Sequence, residues 1–167
     1  DGMNVLRGVE DNKAFAAGLN NATTARALMV LMERIARLEA VDADSSRQMI
    51  EILKRQTFND AIPAGLPPGT PVGHKTGSIT RIHHDAAIVF AMRPFVLVVL
   101  VRGLDDLKQS AALMASIART LNEEAERDVP SRVAERLHAG EVDLGMIPSI
   151  EYAFGDYAIV PGVAIAS

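Results

Sequence analysis

Two periods of apolar and polar positions divide this chain into blocks. Leu28, Leu31, Met32, Ile35 and Leu38 recur at spacings of three and four, which predicts a helix over about 24–39 with these residues facing inward. Thr23 or Thr24 can cap its first turn through a hydroxyl oxygen. Asp42 and Asp44 open a second helix, about 44–56, with Met49, Ile50 and Leu53 as its apolar side. Glu51 and Arg55 lie four apart and can pair on its solvent side. Residues 57–71 are rich in Pro and Gly, which ends regular helix. The period then shortens, and strands are predicted at about 72–80, 83–92 and 94–102. The third, Pro94 to Arg102, is apolar on both faces and should lie inside a sheet with cover on both sides. Short connections make the three strands antiparallel neighbours. A long helix over about 105–126 follows, with Leu107, Ala111, Met114, Ile117, Ala118 and Leu121 on one face and Asp105 or Asp106 at its start.

The flanks are less regular. Residues 1–22 lack periodicity, and Gly8, Gly18 and Asn20-Asn21 predict a loop with one short helical turn. After Asp128 a short helix at about 130–139, a strand at 142–147, a helical turn from Ser149 to Ala153 and a strand within 157–165 are expected. The fold class that follows is α+β, a mainly antiparallel sheet with packed helices. At 167 residues and about half apolar, the chain can bury a real core. Its net charge of −4, with no basic run interleaved with aromatics, speaks against nucleic acid and anionic membrane as partners. The absence of cysteine excludes disulfides and thiolate metal sites. No apolar stretch reaches the roughly 18 residues that would span a bilayer, and no signal peptide is visible. The chain starts at Asp1 without an initiator methionine and stops at Ser167 straight after an apolar stretch. A fragment, a processed product or an engineered piece is therefore expected.

The candidate chemistry sits in the first strand. A lysine, a hydroxyl residue and a glycine on an exposed edge make a compact carboxylate-recognition device. The Lys75 ammonium supplies charge, the Thr76 hydroxyl a hydrogen bond, and Gly77 close access to the backbone. The N–H groups that follow can face a developing oxyanion. His83-His84-Asp85 could suggest a metal site. On a strand, however, His83 and Asp85 share one face and His84 takes the other, so two ligands are too few and a structural role, or simple exposure, is preferred. No metal or cofactor is expected.

Gly73-His74-Lys75-Thr76-Gly77-Ser78-Ile79-Thr80, then His83 to Val89, then Phe95 to Gly103 together resemble the carboxy-terminal part of class A beta-lactamases and their relatives. The resemblance runs upstream through Leu19 to Arg26 and downstream to about Leu121, covering residues 1–122. It implies that Lys75, Thr76, Gly77 and Ser78 bind the carboxylate of a beta-lactam or similar small acid. It also places Glu10, with imperfect spacing, near the position of the family's deacylating glutamate. The family's nucleophile lies in a Ser-x-x-Lys motif with a Ser-Asp-Asn motif nearby, and neither occurs here. Ser45-Ser46-Arg47-Gln48 and Ser110-Ala111-Ala112-Leu113 fail at the lysine. Covalent acylation then has no start.

From Val129 the sequence resembles another family, the amino-terminal region of menaquinone-pathway chorismate dehydratases, over residues 128–167. Ser149 and Glu151 could approach a ligand in such a parent, although helix capping and surface charge explain them equally well here. Two incomplete enzyme pieces suggest a chimera with one shared core. The open edge of strand 94–102 would be long and aggregation-prone. Strand 142–147 or 157–165 is expected to close it, with a homodimer or domain swap as competitor. Three functions stand side by side: a chimera with a vestigial binding wall and no catalysis, a serine hydrolase whose nucleophile-bearing half lies elsewhere, and a small-acid binding module. Localisation stays open, since the first resemblance implies a periplasmic or secreted parent and the second a cytoplasmic one.

Overall fold

The computed structural model describes residues 2–127 and 163–166. The elements run α1 (Asn12–Ala16), α2 (Ala25–Ala36), α3 (Ala43–Lys54), a 3-10 turn (Ile62–Gly65), β1 (Val72–Ile79), β2 (Ile82–Val89), β3 (Phe95–Arg102), α4 (Leu107–Arg127) and β4 (Val163–Ala166). The architecture is α+β, and the predicted helices and strands end within about three residues of these bounds. The helix at 130–139, the strand at 142–147, the turn carrying Ser149 and Glu151, and most of the strand within 157–165 lie outside the described residues.

The helices start where polar caps dictate. Thr24 Oγ1 accepts the Ala27 N–H at 3.1 Å, and Asp42 Oδ1 accepts the Ser45 N–H at 2.7 Å. The backbone and hydroxyl of Ser45 hold the Asp42 carboxyl below the usual carboxylate range. A depressed folded value means that this cap stabilises above the unfolded carboxylate pKa and fades as pH falls through the lowered one. The stability gap between wild type and Asp42→Ala is therefore expected to be widest near neutrality and to shrink below about pH 4. Thermal unfolding across that range checks it, and a gap that widens in acid would refute it. At the start of α4, Asp106 Oδ1 accepts the Lys108 N–H at 2.8 Å. Asp105 instead pairs with Arg81 at 3.2 Å.

Some expected contacts differ. Glu51 pairs with Lys54 at 3.2 Å rather than with Arg55. Leu31 and Leu107, expected to face inward, are 39% and 47% exposed. Leu31 lies at the flank of the stripe formed by Met32 and Ile35, and Leu107 is the first residue of α4.

The sheet order is β1-β2-β3-β4, all antiparallel. Alternation along the strands builds two cores. Ala87, Val89, Leu97 and Val99 pack with Met114, Ala118 and Leu121 of α4 and with Ile62 of the 3-10 turn. Ala86, Ile88, Val96 and Val98 pack on the other face with Met32 and Ile35 of α2 and Ile50 of α3. β3 is thus covered on both faces, as its uninterrupted apolar run requires. Its far edge is closed from Val96 to Val99 by β4, which falls at the end of the segment expected to do so.

Candidate functional site

Among the described residues, β1 is an edge strand with β2 as its neighbour. Its burial changes along its length: Gly73 and His74 are buried, while Lys75, Gly77 and Ser78 are exposed and Thr76 is half-buried. The strand thus enters the core at one end and stands open at the other. Lys75 Nζ donates to the Thr76 carbonyl. Gly77 leaves an open surface, since a Cβ there would meet no atom within 4 Å. Gly73 differs, because a Cβ would come within 3.3 Å of the Leu53 side chain.

His84 lies across from Gly77 in the β1–β2 register and so shares the face of Lys75. Burial pushes the His84 imidazole below its usual range; the His83 backbone opposes this shift, while the charges of His83 and Arg102 add to it. Among the described residues, the His84 Nδ1 is buried without a hydrogen-bond partner.

Behind the open part of β1 lies a polar group that the sequence did not reveal. His74 and Asp85 are 1% and 0% exposed at their side chains. The His74 Nδ1 lies 3.0 Å from Asp85 Oδ1, and its Nε2 lies 3.0 Å from Asn59 Oδ1. Asp85 Oδ2 accepts the Ile62 N–H at 3.1 Å. One buried carboxylate thus ties β1, β2 and the 3-10 turn together. Asp85 has the structural role preferred for it, and its partner is His74 rather than a residue of the His83-His84 pair. The available signal was the charge itself: a carboxylate on the strand face of Ala87 and Val89 needs a buried donor.

Glu10 belongs to a different segment from this wall. It lies exposed in the turn before α1, on a loop closed by the antiparallel bridge between Asn4 and Ala22. Asn21 clamps that loop, accepting the Leu6 and Arg7 N–H groups at 2.8 and 3.1 Å and donating to the Arg7 carbonyl at 3.0 Å. Among the described residues, no hydrogen bond or ion pair joins Glu10 to β1. Asn21 was legible only as a turn residue, because its clamp depends on a neighbour 14 residues away. Among the described residues, no helix is long and apolar enough to cross a membrane.

Comparison with known proteins agrees with this fold. A curated beta-lactamase of Bacillus licheniformis is 31% identical over 117 residues, which is 67% of this chain and 38% of that protein. The solved structure of PBP-A is 26% identical with a TM-score of 0.61, covering 74% of this chain and 46% of the other. A beta-lactamase from Chitinophaga pinensis, at 24% identity and a TM-score of 0.68, covers 75% of this chain and 50% of its own. The chain thus spans half or less of the length of these relatives. The model of the beta-lactamase enzyme family matches residues 2–125, and the chain belongs to that family.

Proposed function

We propose that this chain carries the substrate-binding wall of a beta-lactamase-type fold and binds a beta-lactam or similar carboxylate without hydrolysing it on its own. The carrying observation is the placement of Lys75, Thr76, Gly77 and Ser78 together on the open half of an edge strand. Lys75 would exchange its contact with the Thr76 carbonyl for a ligand carboxylate, which gives a charge-assisted bond. The hydroxyls of Thr76 and Ser78 would add hydrogen bonds, and the Ser78 N–H would face the ligand's carbonyl oxygen. Glu10 is the candidate for activating a water, but without a serine nucleophile there is no acyl-enzyme for that water to attack.

A chromogenic cephalosporin tests the catalytic half of this reading. No turnover is expected from this chain, and sustained hydrolysis would overturn the reading. Titration with benzylpenicillin tests the binding half. Backbone resonances of Lys75 to Ser78 should shift, and Lys75→Ala should abolish the shift.

A second reading is a hydrolase completed by a nucleophile-bearing half outside this sequence. Its support is that, among the described residues, the apolar side chains of Val5, Val9 and Phe15 in the first 22 residues are 75%, 88% and 54% exposed. Hydrolysis that appears only when the amino-terminal half of a relative is added would favour it. The family match ends at residue 125, and in this reading the residues from about 128 are an appended segment, for which a dehydratase-like origin is our proposal from sequence resemblance alone. Titration with chorismate-like acids tests whether that segment makes the chain a small-acid binding module.

A further inference from the structure

We infer that His74, held between Asp85 and Asn59, is a positioning residue for the ligand wall formed by Lys75 to Ser78; the inference rests on the binding function proposed above. β1 is paired with β2 along its whole length, but among the described residues it has no strand on its other side, so contacts behind it help to fix the direction of its exposed side chains. His74 is the last buried residue of β1 before the exposed stretch begins. Its ring is hydrogen-bonded at both nitrogens, to Asp85 on β2 and to Asn59 in the segment before the 3-10 turn. Asp85 in turn faces Thr76 in the strand register, one residue beyond Lys75. Side chains alternate along a strand, so a fixed His74 on the α4 side sets the direction of Lys75 on the α2 and α3 side. The anchor thus reaches the wall from behind, without touching a ligand.

Asn59 separates positioning from simple stability. It is exposed, and Asn59→Ala removes one of the two restraints on the His74 ring while leaving the buried pair with Asp85 intact. Asn59→Ala is expected to weaken benzylpenicillin binding about fivefold, the scale of one lost hydrogen bond. The melting temperature should stay within about a degree, and the Lys75 to Ser78 amide resonances should move without ligand. Asn59→Asp, which keeps an oxygen acceptor facing the ring, should restore both affinity and resonances. Unchanged affinity in Asn59→Ala would overturn the inference, as would an affinity loss matched by a fall in melting temperature. If the wild-type chain binds no benzylpenicillin, the proposed binding function fails and the positioning role is judged on the ligand-free resonances alone. Unmoved Lys75 to Ser78 signals in Asn59→Ala then refute it.

Discussion

Asp85→Ala is expected to cost about 3 kcal/mol, the upper part of the range for leaving buried hydrogen-bonding groups unsatisfied. Three consequences combine. The His74 Nδ1 loses its acceptor in a site that is 1% exposed. The Ile62 N–H loses the carboxylate oxygen that satisfies it. The space vacated is closed off by Ala61, Ile62, Ala87 and Val99, all essentially without exposure, so bulk solvent does not reach the two groups left behind. A domain of this size has roughly 5–15 kcal/mol of total stability, so the loss is a large fraction of it. Asp85→Asn should cost less, about 1–3 kcal/mol, because one amide oxygen can still accept from His74 while its NH2 then opposes the Ile62 N–H. Urea unfolding measures both values, and hydrogen exchange at the Ile62 amide locates the damage. A loss under about 1 kcal/mol for Asp85→Ala would show that the carboxylate is not the tie between β1, β2 and the 3-10 turn.

The elements were legible because their causes are local. Thr24 and Asp42 cap helices three residues away, and the apolar run from Phe95 to Val101 requires a central strand. The candidate wall was legible for a similar reason: Lys75 to Ser78 are consecutive, so one strand places them together. The anchor behind the wall was not legible. His74, Asp85 and Asn59 lie 11 and 15 residues apart, and only the β1–β2 register and the path of the 57–66 segment bring them into contact. Glu51 shows the limit at short range as well. Its choice of Lys54 over Arg55 is a matter of side-chain rotamer on an exposed face, where the energies differ by a few tenths of a kcal/mol. The closing of β3 was legible as a need rather than as a partner. An apolar edge demands cover, but which of two later segments supplies it depends on chain geometry beyond any local pattern.

Gly65→Ala is expected to cost about 3 kcal/mol, the upper part of the range for overpacking. The reason is space rather than backbone conformation, since Gly65 does not adopt a positive φ. A Cβ at Gly65 would lie 1.9 Å from the Ala115 carbonyl oxygen and 2.7 Å from the Ala115 carbonyl carbon. Both are main-chain atoms in the middle of α4, so no side chain can swing aside to make room. The 3-10 turn must lift from the helix, and it carries Ile62 with it, whose side chain fills the α4 core and whose N–H bonds Asp85. Gly77→Ala is the control. It adds the same methyl group to open space, and its effect should stay within about 0.5 kcal/mol. The Gly65 and Asp85 sites act on one shared turn, so their losses should not add. In an Asp85→Ala background the turn is already released from the sheet, and Gly65→Ala should then cost clearly less than it does alone. Urea unfolding of the four proteins in this cycle measures the difference. Strict additivity would mean that the turn's grip on α4 and its tie to the carboxylate are independent, and that the buried polar group behind Lys75 holds the edge strand without help from the helix on that face.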